Sequence, residues 1–234
     1  MSSPIRVAIL EDHQSIVDGY IYRLNALPEI QVVGTASSGE ELEPMLDRHP
    51  ADVLLLDVHV PTGPDNSNPF PVLHVIPDLL QKHPNLNVLV ISMLAQHTLI
   101  EALVDAGISG YIFKDDRNSI QQLAKIVVMV ASGGIYFSQE AYRRLREANS
   151  RPTGPILTAR QLEALSLCAA YPDDSTAKLA ERLGVANSTL RNLLSIAYLR
   201  LDVRTRAAAI AKIHQMGLIP SPMTDINIEF DQDS

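Results

Sequence analysis

The stretch Val53-Leu54-Leu55-Leu56-Asp57 sets four consecutive apolar side chains in front of a carboxylate. So short an unbroken apolar run suits a strand buried on both faces, as in a parallel sheet covered by helices. Four further segments read the same way: Ile5–Leu10, Ile30–Gly34, Val88–Ser92 and Gly110–Phe113. Helix-length stretches near 14–26, 38–48, 71–82, 97–106 and 118–132 alternate with them. Strand–helix alternation repeated five times predicts an α/β domain with a doubly wound, five-stranded parallel sheet. In such a sheet the functional crevice lies at the carboxyl ends of the strands.

Beyond this region the strand pattern stops. Helical stretches near 158–170, 176–183, 187–201 and 205–216 predict an all-α second domain, with Thr158 as an N-cap and Gly217 closing the last helix. A helix near 138–148 leads into Ser150-Arg151-Pro152-Thr153-Gly154-Pro155, the best boundary. The predicted division is 1–132, a linker helix and linker at 133–155, the helical domain at 156–220 and an acidic tail at 221–234. Charge follows it. Residues 1–153 carry 11 Lys/Arg and 18 Asp/Glu, residues 154–220 carry 8 and 5, and the tail has four acids and no base. A mildly basic second domain is compatible with nucleic acid without requiring it.

The 234 residues are 46% hydrophobic and 20% charged, which excludes wholesale disorder. No apolar run approaches the ~18 residues of a membrane span. Met1-Ser2-Ser3-Pro4 runs straight into the first strand without the layout of a signal peptide, so a cytoplasmic chain is expected. The single cysteine, Cys168, excludes an internal disulfide framework and sits in an apolar helical pattern as a core residue.

Glu11, Asp12 and Asp57 follow the first and third strands, whose ends converge in a parallel sheet. Clustered carboxylates repel one another unless a cation is present, and oxygen ligands favour Mg²⁺. Ser92 ends the fourth strand and Lys114 follows the fifth. A hydroxyl and an ammonium beside a carboxylate suit a site that accepts a phosphoryl group on that carboxylate. His13 and His59 flank the cluster, but a histidine metal centre is the weaker reading.

Residues 5–130, through Glu11-Asp12-His13, Asp57 with Pro61, Ser92, and Ala106-Gly107…Gly110-Tyr111-Ile112-Phe113-Lys114, resemble the flavodoxin-like receiver domain of two-component response regulators. The resemblance implies that Asp57 is the phosphoacceptor and that Glu11, Asp12 and Asp57 hold Mg²⁺. It implies that Ser92 and Lys114 bind phosphoryl oxygens, and that Tyr111 is a switch aromatic drawn inward with the fourth strand–helix region. The segment from His59 to Pro71 is longer and richer in proline than the family's usual loop, which reads as a tolerated surface insertion.

Residues 156–219 resemble the LuxR-type helix-turn-helix output domain of NarL/FixJ regulators, through Leu157-Thr158, Glu163, Thr189-Leu190-Arg191, Leu201-Asp202-Val203, Arg206 and Gly217. The 187–201 helix would then be the recognition helix, with Ser188, Thr189, Arg191, Asn192, Ser195 and Arg206 as candidate DNA contacts. Glu163 reads as a structural ion-pair partner. At about 100° per residue, Leu190, Leu194, Ala197 and Leu201 form the buried stripe, and Ser188, Asn192, Ser195 and Leu199 lie opposite. Ala186 stands where the family has a serine N-cap, so Asn187 is the expected cap. Ile196 and Leu199 stand where polar or basic residues are usual, which invites a protein partner on that half of the face.

The resemblance implies a phosphorylation-controlled transcription regulator and not an enzyme. Its partners would be a sensor histidine kinase and an inverted-repeat operator bound by a phosphorylation-dependent homodimer. The alternative is a phosphorylation-controlled protein-interaction regulator whose output domain binds DNA weakly or not at all. A conventional enzyme is disfavoured because the first strand–helix turn lacks a glycine-rich phosphate loop and the chain has no G-x-S-x-G elbow.

Overall fold

Strand side chains divide between two apolar layers, one on each face of a central sheet. Ala8, Leu10, Leu54, Leu56, Val88 and Val90 enter one layer, and Val7, Ile9, Val53, Leu55, Leu89 and Ile91 enter the other. This alternation is the period-two geometry of a strand sandwiched between helices. The computed structural model describes residues 3–149 and 156–219.

The sheet contains β1 (Ile5–Leu10), β2 (Ile30–Ala36), β3 (Val53–Leu56), β6 (Asn87–Ser92), β7 (Gly110–Phe113) and β8 (Tyr136–Phe137) in the order β2-β1-β3-β6-β7-β8. Every pairing in it is parallel. Helices α1 (Gln14–Leu24), α2 (Gly39–Arg48), α3 (Val72–Lys82), α4 (His97–Asp105), α5 (Arg117–Gln121) and α6 (Leu123–Ala131) cover it. The expected 118–132 helix is divided at Gln122, whose φ of −96° and ψ of 12° break the helical path.

The sheet has a sixth strand because the linker folds back on it. Tyr136 N donates to Ser109 O at 3.1 Å and Ser138 N to Tyr111 O at 2.9 Å. Gly110 permits this approach: a Cβ there would stand 2.2 Å from Tyr136 O. Two paired residues are too few to show a strand period. The chain then enters α7 (Gln139–Asn149), which lies against α4 and β7.

The proline-rich segment after Asp57 forms an antiparallel hairpin, β4 (Pro61–Gly63) and β5 (Asn66–Pro69). It is fastened to the start of α2, where Gly63 lies under the Glu40 carboxylate and Gly39 under the Phe70 ring.

The helical domain contains α8 (Ala159–Ala170), α9 (Thr176–Leu183), α10 (Asn187–Leu201) and α11 (Arg206–Gln215). Thr158 and Gln161 form a reciprocal capping box at α8. Gly184, with φ of 68°, provides the left-handed residue between α9 and α10. Asn187 does not cap α10; Ala186 is the N-cap and offers no side-chain bond. Cys168 is buried, and Glu163 pairs with Arg160 at 2.8 Å. The apolar layer beneath α3 and α4 continues without a break into Leu165, Leu190, Leu194 and Tyr198. The two domains therefore share one core in this arrangement. Among the described residues no helix is long and apolar enough to cross a membrane.

Candidate functional site

Backbone bonds bring the strand ends to one level. Asp57 N donates to Leu10 O at 2.9 Å, Glu11 N to Ala36 O at 3.0 Å and Lys114 N to Ser92 O at 3.0 Å. Glu11 and Asp57 are buried with the Lys114 ammonium between them, 2.6 Å from Glu11 Oε2 and 2.7 Å from Asp57 Oδ2. Desolvation lowers the lysine's pKa, but the Asp57 and Glu11 carboxylates outweigh it, so the pKa is raised and the ammonium stays charged.

The other Asp57 oxygen, Oδ1, accepts the His59 amide at 3.1 Å. Glu11 Oε2 is engaged by the ammonium, while its Oε1 accepts the His13 amide at 3.2 Å. Glu11, Asp12 and His13 each present a ligand atom, all within 4.8 Å of one another. His13 Nδ1 is 2.8 Å from Asp12 Oδ1 and 3.3 Å from Glu11 Oε1. Its pKa is raised, chiefly by the hydrogen bond to Asp12. The donor set, rich in carboxylate, fits a hard divalent cation. As placed, Asp57 is tied to Lys114 and the His59 amide while the other three converge.

Ser92 is fully buried and its Oγ accepts the Leu94 amide at 3.2 Å. Tyr111 is also fully buried; its hydroxyl donates to the Leu94 carbonyl and its ring meets Phe113 edge-on at 5.3 Å. Burial pushes the Tyr111 phenol up to about 12. The ring is already covered in this structure. Tyr20, which the sequence did not single out, joins the site from α1. It lines a cleft with Ser15, Gly19, Arg23 and Lys114, and burial raises its pKa. Its place on the buried stripe of α1 looked like ordinary core.

The candidate DNA contacts do not form one exposed face. Helix α10 rests against α3 and α4. Arg191 is 5% exposed and donates to the carbonyls of Leu86 and, at 3.1 Å, Pro84. Those carbonyls follow the end of α3, where the helix dipole is negative. Burial lowers the guanidinium's pKa to about 10, and Nε finds no partner among the described residues. Asn187 donates to Pro84 O, Asn192 to Asp105 Oδ1 at 3.2 Å, and Ser188 lies against Gly107. Ser195 is buried, Thr189 is exposed, and Arg206 instead holds the 171–175 loop through Asp174 O at 2.8 Å.

The four stripe residues Leu190, Leu194, Ala197 and Leu201 are all buried. So is Leu199, and Ile196 packs on the same continuous core. The partner expected at Ile196 and Leu199 is, in this arrangement, the chain itself. Helical periodicity located the face; it carried no information about what covers it.

Known proteins resemble this chain in sequence and fold. Residues 7–126 match the family model described as the response regulator receiver domain. The chain is 30% identical over 216 residues to the DNA-binding transcriptional activator DevR/DosR of Mycobacterium tuberculosis, covering 88% of this chain and 94% of that protein. It is 26% identical over 238 residues to the transcriptional regulatory protein DegU of Brevibacillus brevis, covering 92% and 95%. Among solved structures, a Salmonella typhimurium RcsB response regulator superposes with a TM-score of 0.55 at 20% identity, covering 93% of this chain and all of that one. An RcsB–DNA complex gives 0.54 at 21%, covering 90% and 98%.

Proposed function

The chain belongs to the response regulator family, and on that footing we propose that it is phosphorylated on Asp57 and controls transcription by releasing α10 to DNA. The observation that carries this reading is the buried Lys114 ammonium between Glu11 and Asp57, at the ends of three strands. An Asp57 oxygen forms the bond to phosphorus as the donor's bond to phosphorus breaks, which leaves an acyl phosphate. Lys114 then exchanges a carboxylate oxygen for a phosphoryl oxygen, and the Ser92 hydroxyl turns from Leu94 N to another. Glu11, Asp12 and Asp57 would hold Mg²⁺, which when bound neutralises negative charge gathering at the phosphoryl group. Phosphohistidine on a sensor kinase is the donor.

The output side follows from the closed arrangement. Arg191 and Asn192 cannot reach a duplex while they contact Pro84, Leu86 and Asp105. We assign residues 1–132 to the receiver, 133–155 to the linker, 156–220 to DNA binding as a homodimer on an inverted repeat, and 221–234 to an acidic tail. The chain is a regulator rather than an enzyme for an external substrate, and it is expected in the cytoplasm. The protein-interaction alternative drew on a weakened basic surface that includes Ile196 and Leu199, and the chain's own core takes in both.

Labelling with a small-molecule phosphodonor tests the acceptor. It should require Mg²⁺, weaken in Asp12→Asn and vanish in Asp57→Asn; label that survives Asp57→Asn places the acceptor elsewhere. Selection of operator DNA by the beryllofluoride-treated chain over a salt series tests the output, since phosphate contacts make binding fall steeply with salt.

A further inference from the structure

Two side chains of α7 hold two different parts of the molecule. Residues 142 and 144 are about 200° apart around a helix, so they leave from opposite faces. Arg144 Nη1 donates to Ala95 O at 2.5 Å, in the loop between β6 and α4. Its Nε is held one turn back by Glu140 Oε1 at 2.8 Å, and its guanidinium carbon lies 5.9 Å from the Phe113 ring centre. On the other face, the Tyr142 hydroxyl donates to Asp202 Oδ1 and lies 3.5 Å from Leu199 O. Asp202 is the left-handed C-cap of α10, with φ of 56°.

The helix between these contacts is anchored. Ala141 and Leu145 are buried. The strand before it pairs with Gly110 and Tyr111 of β7. The 93–96 loop carries a continuous series of bonds: Ser92 Oγ takes Leu94 N, Leu94 O takes the Tyr111 hydroxyl, and Ala95 O takes Arg144. With Tyr111 already covered, displacement of this loop by a rotating Ser92 acts directly on the Arg144 contact.

We propose that α7 transmits the state of the 93–96 loop to the C-terminal end of α10, with Arg144 and Tyr142 as its two positioning residues. This rests on the reading of Asp57 as acceptor and adds the route by which the receiver and the output helix are coupled. Docked, Tyr142 favours the closed population. When the loop moves, Arg144 carries α7 with it, the Asp202 bond is lost and the population shifts to the open form.

The test is hydrogen exchange of the 187–201 amides in the full chain, with and without beryllofluoride and Mg²⁺, beside Asp57 labelling. Tyr142→Phe should raise basal exchange about tenfold, as expected for one hydrogen bond to a charged group. Arg144→Ala should be labelled within about twofold of wild type, yet lose the exchange response; Arg144→Lys should recover at least half of it. The proposal is overturned by wild-type basal exchange in Tyr142→Phe, or by a full response in Arg144→Ala. Wild type that takes no label refutes the acceptor reading instead. The basal exchange of Tyr142→Phe, which needs no phosphoryl group, then still decides the coupling.

Discussion

Arg191 on α10 donates to the Pro84 carbonyl at 3.1 Å, so the output helix places a buried guanidinium against the end of α3. Among the described residues, carbonyls rather than a carboxylate receive this charge. Dipoles compensate a buried cation less fully than a counter-ion does, and burial lowers its pKa to about 10. The closed arrangement therefore contains an unfavourable term that a DNA phosphate would relieve.

Arg191→Met keeps much of the apolar stem and removes that term. The variant should hold α10 more tightly, with exchange of its amides slowed severalfold, and should bind operator DNA more weakly even with beryllofluoride. Faster exchange would mean that the carbonyl bonds outweigh desolvation.

Ile196→Lys with Leu199→Lys introduces two ammonium groups into the shared core. Burying an unpaired charge costs several kcal/mol, enough to empty the closed form. Exchange over 187–201 should rise without a phosphoryl mimic, and non-specific DNA affinity should increase. Unchanged exchange would show that these positions do not hold the domains together.

Lys114→Met leaves the Glu11 and Asp57 carboxylates buried without their cation. Removing one partner of such a group costs about 3–5 kcal/mol, and Mg²⁺ should restore part of it. The urea midpoint of the variant should thus gain more from millimolar Mg²⁺ than that of wild type. Equal gains would argue that the cation and the ammonium do not share these carboxylates.

Asp52 joins β1 to the start of β3 by accepting Arg6 N at 2.8 Å and the Arg6 guanidinium at 2.8 Å. Desolvation raises the pKa of Asp52, but its bonds to Arg6 outweigh it, so the folded value lies below 3.8. A depressed folded pKa gives stability that is complete above the unfolded value and lost as pH falls through the folded one. Asp52→Asn should cost about 1 kcal/mol at pH 7, allowing for solvent screening of this half-exposed pair. The difference from wild type should begin to shrink as pH falls below 3.8 and vanish below the folded value, which unfolding curves across pH would show. A constant difference would assign the loss to packing.

Much of the molecule was legible in the sequence because it depends on local rules. Continuous apolar runs mark strands buried on both faces, and parallel strands carry their last residues to one edge. Glu11, Asp57, Ser92 and Lys114 are brought to that edge by their positions at strand ends. Thr158 and Gly217 announced a helix start and a helix end through local backbone chemistry.

Tertiary structure alone decided the rest. The β8 pairing is too short to have a period, and the β4–β5 hairpin is built from proline and asparagine without an apolar face. The partners of Arg191 lie 105 and 107 residues earlier in the chain. A helical stripe reports that a face of α10 is covered. The polar face beside it, with Arg191 and Asn192, reads the same whether DNA, another protein or the chain's own α3 and α4 covers it, because helical period is a property of one segment and contact is a property of two.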